Sequence, residues 1–100
     1  MIEYIRERQS EDELLAQLAE ESTELAHAAL KYRRSLTGTS PTTVKRTEAF
    51  NNLLEEIADV WLLLEVLKLD KHLVKYGSIM ESKLKRWVER LKTARQEEAK

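Results

Sequence analysis

Two glycines and one proline punctuate 100 residues, and that scarcity of breakers constrains the fold more than any other feature of the chain. Gly and Pro end helices and turn chains, so a sequence with three of them is committed to long uninterrupted elements. Between the breaks the apolar residues recur at helical spacing. Leu14, Leu15, Leu18, Leu25, Ala26 and Ala29 mark a first helix from about Ser10 to Arg34, and Ser10 with Glu13 has the pattern of a capping box. "SLTGTSPTT", residues 35–43, reads as a loop in which Thr42 or Thr43 can cap the next helix. That second helix is expected over about 44–71. "KYGS", residues 75–78, supplies a Gly stop and a Ser cap before a third helix over about 78–96, on which Ile79, Met80, Leu84, Trp87, Val88 and Leu91 mark the apolar side. Nothing reads as a strand. The expectation is an all-α single domain, residues 1–100, built as a bundle of three main helices.

The second helix is unusual because it is apolar on nearly every side from Ile57 to Leu69. A helix of that kind must be covered all round, which two neighbours in so short a chain do not achieve, so a homodimer or homotetramer is expected to complete the bundle. With 17 Lys+Arg against 18 Asp+Glu, the basic footprint of a nucleic-acid polymer binder is missing. Cysteine is absent, which removes disulfides and thiolate metal sites and fits a reducing cytoplasm. "MIEYIRERQSEDE" lacks the apolar core of a signal peptide, and no apolar run approaches the roughly 20 residues of a membrane span. A cytoplasmic protein is the expectation.

Carboxylates interrupt this apolar helix. In "LLEEIADVWLLLEVL", residues 53–67, a step of about 100° per residue puts Leu53, Val60, Leu63 and Leu67 within about 60° of Glu56. Glu56 therefore sits inside the apolar stripe and Asp59 at its edge, while Glu55 and Glu65 point elsewhere, as solvent or interface charges. A buried carboxylate needs compensation by a cation. One candidate is a Lys or Arg, including one at an oligomer seam; the other is a hard divalent metal held in an oxygen cage. The first helix offers further ligands. Its apolar face centres on Leu18, Ser22, Leu25 and Ala29, with Glu21 at the border, Glu24 one turn on and Glu20 more outward. Glu21 and Glu24 repeat the i, i+3 geometry of Glu56 and Asp59, so two antiparallel helices would bring four acids together, and such a cluster repels itself without cations.

These motifs resemble those of the all-alpha nucleotide pyrophosphohydrolases of the MazG-like superfamily, EExxE followed by ExxD. "EESTE" (Glu20, Glu21, Glu24) and "EIAD" (Glu56, Asp59) match them, and the likeness continues through "ELAHAALKYRR", "SPTT" and "KLKRWVERL" over most of residues 14–92. The span from Glu24 to Glu56 is slightly longer than in the compact members, which extends the connecting loop. The resemblance implies Mg²⁺-dependent hydrolysis, with Mn²⁺ as an alternative ion, of a (deoxy)nucleoside triphosphate to the monophosphate and pyrophosphate by activated water attack at the α-phosphate. By motif position Glu21, Glu24, Glu56 and Asp59 would be metal ligands and Glu20 would orient water. It also implies a dimer or tetramer, in agreement with the over-apolar second helix.

Positive side chains should complete a phosphate clamp. Lys83, Arg86 and Arg90 form one stripe on the third helix, and Lys31 lies two turns after Glu24. Lys31 and Lys83 are the leading phosphate contacts. His27, one turn after Glu24, is a further candidate, although a lone His on a helix edge is more often a surface residue. Trp61 is assigned to the core or a subunit interface and Trp87 to the core. Residues 35–47 hold no recognisable base-reading motif, so substrate choice is not legible. Two other readings compete: a non-catalytic nucleotide-sensing or protein-binding oligomer of the same fold, and a plain oligomerisation module whose acids are neutralised by interface Lys or Arg.

Overall fold

A computed structural model describes residues 1–38 and 45–99. Among them are four α-helices and no strand: α1 (Ile2–Arg8), α2 (Glu11–Thr37), α3 (Arg46–Val66) and α4 (Leu73–Glu98), with a 3₁₀ turn at Leu69–Lys71. The protein is all-α. It divides into two compact units, Met1–Asp70 and Lys71–Lys100.

In the first unit, α2 begins as its sequence requires. The Glu13 backbone N–H donates to Ser10 Oγ at 3.1 Å, and the Ser10 backbone N–H donates to Glu13 Oε1 at 3.4 Å, closing the capping box. The helix runs past the expected end at Arg34 to Thr37. Ser and Thr normally favour loops, but here their hydroxyls donate to the preceding turn: Ser35 Oγ to the Tyr32 carbonyl at 2.6 Å and Thr37 Oγ1 to the Arg33 carbonyl at 3.3 Å. Gly38, at φ 69°, then ends α2 in the left-handed conformation that only Gly adopts at little cost. Residues 39–44 lie outside the described residues, and with them the expected caps Thr42 and Thr43; α3 starts after Lys45 without a side-chain cap.

The packing of α2 on α3 obeys a regular alternation of four and three residues. The sheltered positions that follow it are Leu14, Leu18, Glu21, Leu25, Ala28, Tyr32 and Ser35 on α2, and Ala49, Leu53, Glu56, Val60 and Leu63 on α3, with Leu67 just past its end; Leu64, Glu65 and Val66 are sheltered besides. This is the spacing of a two-helix seam. Leu14 clusters with Leu63 and Val66 at one end, and the rings of Tyr32 and Phe50 meet at 5.5 Å at the other, so the helices are antiparallel. The stripe on α2 differs from the one expected: Ser22 and Ala29 are exposed, and Glu21 is a member of the seam instead of its border.

α1 carries no signal that the long-range periodicity of the chain reveals. Seven residues do not hold a helix in water, and tertiary contacts hold this one: Ile2 and Ile5 pack on the Leu14–Leu63–Val66 cluster. Arg6, ion-paired to Glu3, donates Nε to the Val66 carbonyl and a terminal nitrogen to the Glu65 carbonyl, both at 2.8 Å. Those carbonyls belong to the last turn of α3, where the Glu65 carbonyl also accepts the Lys68 backbone N–H at 3.0 Å. The expected helix to residue 71 therefore stops at Val66, and the chain leaves through Lys68 at φ 61° into the 3₁₀ turn.

The second unit is a single long helix. α4 starts at Leu73, ahead of the expected 78, and Gly77 and Ser78 lie inside it instead of forming a stop and a cap. A helical Gly costs about 1 kcal/mol relative to Ala, too little to break a pattern that continues through Leu73, Tyr76, Met80 and Leu84. His72 and Tyr76 stack edge to face across the first turn, ring centres 6.3 Å apart, and exposed pairs such as Lys85–Glu81 at 3.3 Å run along the outside. No helix among the described residues is long and apolar enough to cross a membrane.

Candidate metal centre

Glu21 and Glu56 each take a seam position halfway along the α2–α3 pair, where every neighbouring position on the stripe is apolar or small. Asp59 lies one turn beyond Glu56 at the exposed edge. The result is three carboxylates from two helices, with one oxygen of each lying within 4.8 Å of the others. Glu21 and Glu56 are half-buried, and Asp59 is exposed. The buried Oε2 of Glu56 has no hydrogen-bond partner, an uncommon state for a sheltered oxygen. Partial burial, together with the charges of Asp59, Glu56 and Glu24 in that order, holds the Glu21 carboxyl above the usual carboxylate range. A hydrogen bond with the Glu56 side chain acts in the same direction, because two carboxyl groups share such a bond only through a proton.

The donor set fits a hard divalent cation. All three groups offer carboxylate oxygen, the ligand type that Mg²⁺ and Mn²⁺ take in partly hydrated sites. Their mutual repulsion is relieved by positive charge, and the orphaned Glu56 oxygen offers a lone pair. No side-chain nitrogen among the described residues is ion-paired to any of the three.

Of the four acids expected to converge, three do. Glu24 lies one turn beyond Glu21 on the exposed side of α2, near enough for its charge to act on Glu21 but outside the group. Glu20 is exposed and shares a shallow depression with Glu21. His27 and Lys31 are exposed on α2, away from the seam stripe. Lys83, Arg86 and Arg90 belong to the second unit, where with Trp87 they line one recess along α4. Trp61 and Trp87 are each 60% exposed, so neither is a core residue within the chain; Trp61 instead donates its indole N–H to Glu65 Oε1 at 2.9 Å.

A cleft of about 160 Å³ opens beside the acids, with Glu21 and Asp59 at its margin. Gln9 and Gln17 are its other polar lining residues, and Ile5, Leu14, Leu62, Leu63 and Val66 make up the remainder. Neither glutamine stands out in the sequence. The signal that leads to Gln17 is its position one turn before Glu21; Gln9 is found only once α1 is seen to fold back on the hairpin. Comparison with family models, curated proteins and solved structures gave no match to this chain.

Proposed function

We propose that the protein is a Mg²⁺-dependent nucleoside triphosphate pyrophosphohydrolase, cleaving a (deoxy)nucleoside triphosphate to the monophosphate and pyrophosphate. The observation that carries this reading is the convergence of Glu21, Glu56 and Asp59, one oxygen of each within 4.8 Å of the others, and the EESTE and EIAD motifs that resemble the MazG-like superfamily support it. Glu21, Glu56 and Asp59 would hold the ion, with Glu24 one turn away as an additional or water-mediated ligand. A divalent cation bound there supplies charge compensation for the phosphates and makes a nearby water more acidic. Glu20, at the rim of the same face, accepts a proton from water and orients it. The apolar seam on either side limits bulk water and strengthens the charge interactions. On charge, Lys31 of α2 would be the first phosphate contact, and the working form is a cytoplasmic homodimer or homotetramer.

Incubation with the common NTPs and dNTPs and Mg²⁺ should release monophosphate and pyrophosphate, and orthophosphate as the first product would rule the reaction out. Glu56→Ala and Asp59→Ala should each lower turnover by at least about 100-fold, the scale of losing an electrostatic catalytic group; variants as active as the parent would remove the ligand assignment. The second reading is a nucleotide-sensing or protein-binding oligomer of the same fold. The exposed apolar stripe Phe50, Leu54, Ile57 and Trp61 on α3 offers it an association surface. Calorimetric titration separates the two readings, since the first requires Mg²⁺ binding that Glu56→Gln weakens.

A further inference from the structure

We infer that the cleft between α1 and the α2–α3 hairpin receives the nucleobase, with the carboxamides of Gln9 and Gln17 meeting its polar edge. This rests on the nucleotide reading of the neighbouring acids and extends it to the part of the ligand that the acids do not touch. Four observations converge. The cleft is continuous with the acidic group, because Glu21 and Asp59 are members of both, so a ligand whose phosphates lie at the acids has its remaining part directed here. Its volume, about 160 Å³, suits a single heterocycle. Its walls include Ile5, Leu14, Leu63 and Val66, the apolar surface that ring faces require. Its remaining polar lining groups are two neutral amides. A carboxamide presents a donor and an acceptor side by side, which matches the paired donor and acceptor on the edge of a base. Charged groups at the same places would suit a second phosphate instead.

The position of the two glutamines has a structural cause. Gln17 lies one turn before Glu21 on α2, about 6 Å along the axis. Gln9 ends α1 in an extended conformation, φ −118° and ψ 135°, immediately before the Ser10 cap that starts α2. The Arg6 bonds to the Glu65 and Val66 carbonyls hold α1 against the hairpin and so fix the wall that Gln9 belongs to. The other end of the hairpin is remote: Lys45 and Glu56 are about 16 Å apart along α3 at about 1.5 Å per residue. Gln17, one helical turn from Glu21, is nearer to the acids than Lys45, where α3 begins.

Two measurements test the assignment separately from the reaction. In the full-length protein with Mg²⁺, the side-chain amide resonances of Gln9 and Gln17 should shift on titration with nucleoside triphosphates and stay in place with inorganic tripolyphosphate, which carries the phosphates alone. Gln9→Leu and Gln17→Leu, both exposed positions that leave the seam intact, should each raise KM for the preferred nucleotide at least tenfold with kcat nearly unchanged, and should compress the preference among bases. Resonances that respond equally to tripolyphosphate, or variants with the parental KM and base preference, would overturn the inference while leaving hydrolysis standing. Selective shifts in a protein that turns over no nucleotide would leave the base site in place and overturn the reaction.

Discussion

At the scale of single residues, Glu21 is the most informative side chain in the molecule. Its carboxyl is held above the ordinary range by partial burial and by three neighbouring acids, so the folded protein binds a proton there that the unfolded chain releases at the same pH. Linkage fixes the sign: this contribution to stability is fully present below the unfolded-state pKa and is lost as pH rises through the folded-state value. The metal-free protein should therefore lose melting temperature as pH is raised out of the carboxylate range toward neutrality. Saturating Mg²⁺ should abolish that decline, because the cation replaces the proton as the compensating charge. Glu21→Gln should flatten the metal-free profile and remove the Mg²⁺ response together. A melting temperature independent of pH in the metal-free parent would mean that the three acids do not interact as the geometry requires. The membership of Glu21 in the seam was only partly legible. Alternating small residues on both sides of the stripe, Ala28 beside Ala29 and Ser22 beside Glu21, leave the face of α2 ambiguous by one position until α3 selects one. Glu56 was legible because leucine and valine surround it with no small-residue alternative.

At the scale of elements, the ends of helices were read well where a side chain near in sequence makes the cap and poorly where the partner is distant. Ser10 and Glu13 are three residues apart, and the capping box they form is present. The end of α3 is closed locally by the Lys68 N–H on the Glu65 carbonyl and is also met by Arg6, sixty residues away, a partner that no local pattern announces. Gly77 misled for a related reason: its helical cost is smaller than the gain from the apolar pattern running across it. Two substitutions probe the α3 terminus from opposite sides. Arg6→Ala should destabilise the first unit by about 2 kcal/mol, the scale of hydrogen bonds from a charged donor, and should loosen α1, measured as faster amide exchange over residues 2–8. Lys68→Gly should raise stability by about 0.5–1 kcal/mol in denaturant unfolding, since Lys68 sits at φ 61° and a side chain there carries about 1–2 kcal/mol of strain, offset in part by the greater unfolded-state freedom of Gly.

At the scale of the whole molecule, much apolar surface is exposed among the described residues. Phe50, Leu54, Ile57 and Trp61 form one exposed stripe on α3, and on α4 Leu73, Met80, Leu84, Trp87 and Leu91 are all exposed. Contiguous apolar patches of this kind mark association surfaces, which agrees with the all-round hydrophobicity that made α3 conspicuous in the sequence. The all-α class was legible from the scarcity of breakers and the helical period of the apolar residues. The division into two units was not, because periodicity shows that a helix has an apolar side without showing what lies against it. Ile57→Asp places a charge in the exposed stripe while sparing the seam at Glu56 and Val60. Light scattering should show the parent as a dimer or tetramer and this variant as a smaller species with the same far-UV circular dichroism. An identical mass for both would exclude this stripe as the contact.

The antiparallel seam also bears on how the first unit comes to be folded. Its two helices are consecutive in the chain, so their contacts close one hairpin, a wiring that permits rapid folding. If closure proceeds from the Tyr32–Phe50 end, each further turn of the zipper adds an apolar pair until Glu21 meets Glu56, and only past that step does Leu14 reach Leu63 and give α1 a surface to settle on. On that route the meeting of the two acids is the one like-charged step of the seam. A proton or a cation between them would offset that repulsion and so favour closure of the hairpin.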